Sequence, residues 1–114
     1  MPIFTEKTRT IRENPTTGQV IIDHIVDEKL FNGTNTMFGQ VTLKPHCAIA
    51  YHKHEGNNET YYILQGQGLY NDEGQETVVK AGDVTFCLDG KSHGLQNNGT
   101  EDLVFIALIA TTAK

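Results

Sequence analysis

The chain has 114 residues, 38% hydrophobic and 20% charged, enough for one buried core and too short for two. Nine Lys and Arg against 14 Asp and Glu leave a net charge of −5, with no basic run, which argues against nucleic acid and anionic membranes as partners. The longest late apolar run, Leu103 to Ala110, is far too short to cross a bilayer, and the polar N-terminal stretch lacks the apolar region of a signal peptide, so the sequence reads as cytoplasmic.

In chain order, runs with β character fall at 8–13, 19–26, 36–44, 47–54, 59–66, 68–72, 76–80, 84–87, 93–97 and 103–110. Turns separate them at Asn14–Gly18, Asn32–Gly33, Gly56–Asn58, Asn71–Gly74, Ala81–Asp83, Asp89–Ser92 and Asn97–Glu101. Asn71-Asp72-Glu73-Gly74 is a hairpin signal, and Asp27–Phe31 fits one short helical turn. Many short strands with regular turns predict a single all-β domain, an antiparallel sandwich or barrel. Residues 1–35 read as N-terminal strands and 36–110 as the barrel. Cys47 and Cys87 are isolated, and in a reducing compartment they read as free thiols that pack as small hydrophobes.

The chemistry concentrates in "YHKHEGNNETYY", Tyr51 to Tyr62. His52 and His54, at i and i+2, share one face of a strand, with Cα atoms about 7 Å apart by the per-residue rise. Glu59, Tyr61 and Ile63 share a face on the return strand, so a reversal at Gly56–Asn58 can bring the Glu59 carboxylate beside both imidazoles. His93, after the "DGKS" turn, is the candidate third imidazole. Such a His pair taken alone more often faces solvent than a metal. Burying three imidazoles and a carboxylate without an ion is expensive, however, unless all are hydrogen-bonded.

"HKHEGNNETYYILQG" reads His52-x-His54-(x)4-Glu59-(x)6-Gly66, and "GDVTFCLDGKSHGLQN" reads Gly82-(x)7-Gly90-(x)2-His93-(x)3-Asn97. These stretches resemble the first and second conserved motifs of the cupin superfamily, in the right order. The resemblance implies a double-stranded β-helix, a jelly-roll-like barrel, holding one metal ion on His52, His54, Glu59 and His93. It also makes Gly66 a tight strand junction, Gly82 and Gly90 turn positions, and Asn97 a structural position. Two departures stand out. Pro45 is followed by His46 where the family usually has Pro-Gly, and Leu88 stands where a proline usually precedes the second motif's glycine.

Three imidazoles and one carboxylate, without thiolate, suit one divalent ion from among Mn, Fe, Ni, Co and Zn. Four protein donors leave exchangeable positions for a small oxygen-donor ligand. Three further candidates for the site are Tyr61, sharing the face of Glu59, Gln40, where related cupins place a pocket residue, and His46. Against these stand a half-buried aromatic, a solvent-facing strand residue and a loop histidine. His24 reads as a surface or interface residue. The functional expectation is a metal-dependent enzyme on a small oxygen-rich metabolite, of dioxygenase or sugar or sugar-acid isomerase type. The alternative is a module that binds or senses such a metabolite without turnover. The family resemblance also implies a homodimer, for which the 1–35 segment could supply a strand edge.

Overall fold

Short runs of alternating polarity, each ended by Gly, Asn or Asp, form ten strands in the computed structural model, which describes residues 3–112. They are β1 (Thr8–Asn14), β2 (Gly18–His24), β3 (Asn35–Leu43), β4 (Ala48–Lys53), β5 (Asn57–Gln65), β6 (Gln67–Asp72), β7 (Gln75–Lys80), β8 (Val84–Cys87), β9 (Ser92–Gln96) and β10 (Leu103–Thr111). A 3-10 turn at Glu28–Phe31, where one helical turn is expected, is capped by the Asp27 side chain accepting from the Lys29 amide.

All ladders are antiparallel. One sheet has six strands in the order β1-β2-β3-β10-β5-β8, and the other has four in the order β4-β9-β6-β7. The two stack as an all-β jelly roll, the double-stranded β-helix expected. Their inward faces supply the core: Ile22, Val41, Leu43, Ile63, Leu95, Leu103 and Phe105 are each at most 2% exposed. On β3 the alternation is strict, with Met37, Gly39, Val41 and Leu43 buried and Phe38, Gln40 and Thr42 turned the other way.

Special backbone sits where the motif glycines predict it. Gly66 has φ of 82°, and a Cβ there would meet the Asp102 carbonyl oxygen at 2.6 Å, so only glycine fits between β5 and β6. The β6–β7 hairpin turns through Glu73 and Gly74 at φ of 52° and 92°, the paired left-handed residues of a type I′ turn. Asn97 is fully buried. Its amide nitrogen donates to the carbonyls of Leu43 and Glu101, and its side-chain oxygen accepts from the Gly99 amide.

One expectation needs correcting. Asn57 and Asn58 are not a turn; they open β5, leaving the reversal from β4 to Gly56 at φ of 82°. The N-terminal strands extend the larger sheet of this single domain. β2 lies between β1 and β3, pairs with β3 and buries Val20, Ile21 and Ile22, apolar residues that gain by leaving water. Only β1 remains exposed along its whole length.

Candidate metal centre

The centre is built where β4, β5 and β9 meet at one end of the barrel. β4 and β9 belong to the four-stranded sheet and β5 to the six-stranded one. His52 and His93 lie directly opposite each other in the β4–β9 ladder, and a register shift between Ile49 and His52 adjusts the strand just before them. His54 follows two residues on, and Glu59 reaches in from β5.

The ligating atoms of His52, His54, Glu59 and His93 all lie within 4.8 Å of one another. The His54 Nε2 atom is 3.1 Å from that of His52 and 3.0 Å from that of His93. Glu59 Oε1 sits 3.0 Å from the Nε2 atoms of both His54 and His93, and 3.9 Å from that of His52. His93 is fully enclosed, and His54 and Glu59 are 6% and 4% exposed. The His52 side chain remains 38% exposed, so the centre opens on its side.

The outer hydrogen bonds decide what the inner atoms can do. His52 Nδ1 donates to the Ala50 carbonyl at 2.7 Å, and His54 Nδ1 donates to Asn57 Oδ1 at 2.6 Å. His93 Nδ1 lies 2.8 Å from the Tyr70 hydroxyl, whose oxygen can accept its proton. With each Nδ1 proton engaged outward, the three Nε2 lone pairs and a carboxylate oxygen converge with no proton among them. That arrangement repels itself unless a cation sits at its middle. Edges near 3.0 Å are those of donors about 2.1 Å from a shared centre and at right angles, the bond length of imidazole and carboxylate to a divalent first-row metal. The residues therefore fit a metal ion, and the hydrogen bonds behind the rings orient them for it.

Electrostatics agree. Burial pushes the Glu59 carboxyl up, but the three imidazoles around it, His52, His93 and His54, together outweigh burial and hold the pKa at about 2, an ionised ligand at neutral pH. His52 and His93 face this carboxylate and yet move in opposite directions. The Glu59 carboxylate raises the pKa of half-exposed His52, while burial dominates at enclosed His93 and lowers it. The Arg12 guanidinium of β1 counteracts the rise at His52, a sign that its charge is felt there.

The three further candidates separate cleanly. Tyr61 points inward, is 2% exposed and stacks on the His93 ring with centroids 5.0 Å apart. Burial drives its hydroxyl well above the usual phenol range, so it stays neutral and serves as packing behind the ligand. Gln40 faces out of the barrel, because β3 turns only its odd-numbered residues inward. His46 is exposed in the turn before β4, at φ of 72°, with its amide donating to the Asn97 carbonyl. It stands six residues before His52, at the other end of the β4–β9 ladder and about 20 Å away at strand rise. His24 shares a hydrogen bond with Thr10 across the β1–β2 hairpin.

Three contributors were missed from sequence. Tyr70 carried a signal, since the alternation of β6 turns Gly68 and Tyr70 inward, but nothing local ties it to a histidine 23 residues on. Asn57, three residues after His54, is a short-range side-chain partner that reading the stretch as a turn concealed. Arg12 lies on an element without a motif.

With fold and centre in view, the family is plain: residues 39–109 match the model of the Cupin domain family, and the chain belongs to it. It is 39% identical over 92 residues, 81% of its own length and 76% of the relative's, to the oxalate-binding protein of Thermotoga maritima. It is also similar to the crystal structure of a predicted oxalate decarboxylase from the same organism, at 35% identity and a TM-score of 0.84, covering 93% of this chain and 92% of that one. An uncharacterized conserved protein with a double-stranded β-helix domain from Klebsiella pneumoniae superposes with a TM-score of 0.68 at 22% identity over 97% of this chain and 82% of that one, a likeness of fold alone.

Proposed function

We propose that the chain holds one divalent ion, Mn, Fe, Ni, Co or Zn, on His52, His54, Glu59 and His93, and through it binds a small carboxylate that chelates by two oxygens. The observation that carries this is the convergence of three proton-free Nε2 atoms and an ionised carboxylate, each ring fixed from behind. A bound divalent ion supplies Lewis acidity and positions for oxygen donors. This chain's residues orient the ring ligands, exclude water behind His93 and leave the His52 side open. The oxalate-binding relative supports oxalate as the ligand to try first.

A second reading, turnover of the bound acid, is favoured by one observation. The cleft beside His52 borders Glu13 as well as Arg12, and a carboxylate at its rim, held by the Gln19 side chain, is the nearest group of this kind that could move a proton. Decarboxylation of a small acid suits that arrangement better than the sugar-acid isomerase or dioxygenase types, for which nothing further speaks. Metal analysis followed by calorimetric titration of oxalate into the metal-loaded protein tests the binding. Heat of binding with one ion per chain is expected. No bound ion, or no heat, sinks the proposal, and formate released from oxalate would move it to the second reading.

The setting proposed is cytoplasmic, which suits the free thiols Cys47 and Cys87. No helix among the described residues is long and apolar enough to cross a membrane. The assembly proposed is a homodimer, supported by β1, which ends the six-stranded sheet with β2 as its one neighbour in the sheet order.

A further inference from the structure

The N-terminal hairpin carries a cation that the metal centre does not explain. β1 has two arginines. Arg9 is satisfied, with Nε and Nη2 donating to the two carboxylate oxygens of Asp23 at 2.8 and 3.1 Å. The Arg12 side chain makes no hydrogen bond or ion pair among the described residues. Register says where it points: Arg12 lies opposite Val20, so it shares the face of the hairpin that Val20 and Ile22 turn toward the barrel. That face meets β4, and Arg12 lines a cleft of about 390 Å³ together with Val20, Ala48, Ile49, Ala50 and His52. His52 is the one metal-centre residue with a substantially exposed side chain. A guanidinium without a side-chain partner among the described residues thus lines the cleft on the side where His52 leaves the centre exposed.

We infer that Arg12 is the anchor for the outer edge of the chelated ligand, which makes the site selective for small dicarboxylates over monocarboxylates. This rests on the binding function proposed above. Oxalate that chelates through one oxygen of each carboxyl leaves two oxygens side by side on its far edge. A planar guanidinium fork matches two such oxygens and neutralises the single negative charge left when dianionic oxalate joins a divalent ion that already has one carboxylate ligand. Glycolate chelates through one carboxyl oxygen and its hydroxyl, leaving a single outward carboxyl oxygen and so losing little without Arg12.

The test uses the full chain loaded with one Mn²⁺, titrated with oxalate and with glycolate, for the unaltered protein, Arg12→Ala and Arg12→Lys. The expected result for Arg12→Ala is oxalate affinity down about 10- to 30-fold, the range of a charge-assisted pair. Glycolate affinity should fall less than about threefold, with metal content and unfolding temperature unchanged. Arg12→Lys, which keeps the charge without the fork, should fall between the two. Equal oxalate affinity in Arg12→Ala, equal losses for the two acids, or loss of the metal overturns the anchor while leaving the binding function intact. Failure of the unaltered, metal-loaded protein to bind oxalate overturns both.

Discussion

Tyr70 holds His93 from behind, and the two are best judged as a unit. The hydroxyl lies 2.8 Å from Nδ1, and burial lifts its pKa to about 12, so it remains a neutral partner across the physiological range. Tyr70→Phe keeps the ring and its packing and removes only that bond. Metal affinity should fall about tenfold or somewhat more, as for other partners of metal-bound imidazoles, with thermal stability changed by about 1 kcal/mol; competition with a chelator reads the first and calorimetry the second. Glu59 offers a second check, in metal-free protein. Its folded pKa, about 2 against an ordinary 4.5, is depressed. Its contribution to stability is therefore complete above about 4.5 and disappears as pH falls toward 2, on the order of 3 kcal/mol at most. Denaturant titrations between pH 2 and 6 should show that slope, and Glu59→Gln should flatten it. At this scale the sequence was most legible where chemistry and spacing coincide: His52, His54, Glu59 and His93 came from motif spacing. Arg12 was not legible, and Tyr70 only as an inward-facing residue of β6, because a side chain's worth there depends on a neighbour far along the chain.

The elements show why the centre is rigid. β5 and β6 run almost into each other, separated by Gly66 alone, and that junction leaves no room for a Cβ against the Asp102 carbonyl. Gly66→Ala combines the left-handed backbone penalty with a backbone clash and should cost about 2–4 kcal/mol. Gly33→Ala is its control, since Gly33 has φ of 83° but nothing within 4 Å of an added Cβ; strain alone should cost about 1 kcal/mol. Thermal unfolding of the two variants separates the terms, and equal losses would mean that the clash relaxes. Strand periodicity made β3, β5 and β10 readable to within a few residues. The register shift before His52 was beyond it, because a bulge is decided by pairing across the ladder and leaves no mark in one strand's own alternation. Gln40 shows the cost of arguing from a motif's neighbourhood when the face is set by two-residue parity along β3.

Across the whole molecule, the six-stranded sheet keeps a good deal of apolar surface on its outer side, with Tyr62 facing Val84 and both exposed, and Phe86 exposed beside them. With the unpaired edge of β1, this is the surface on which a second copy would pack. Sedimentation at micromolar concentration should return twice the chain mass of 12.6 kDa, and a single-chain mass there would remove the homodimer. The all-β class followed from turn spacing alone, and the jelly-roll arrangement needed the family resemblance, since strand order between two sheets is not written in local patterns.

The four donor side chains do not come from one sheet. His52, His54 and His93 are borne by or follow strands of the four-stranded layer, and Glu59 by the six-stranded layer. An ion held among them would thus be a clasp across the sandwich, adding to the apolar contact and to the few hydrogen bonds that join the layers, such as Asn97 to the Leu43 carbonyl. Losing it would let the mouth of the barrel gape before the far end loosened.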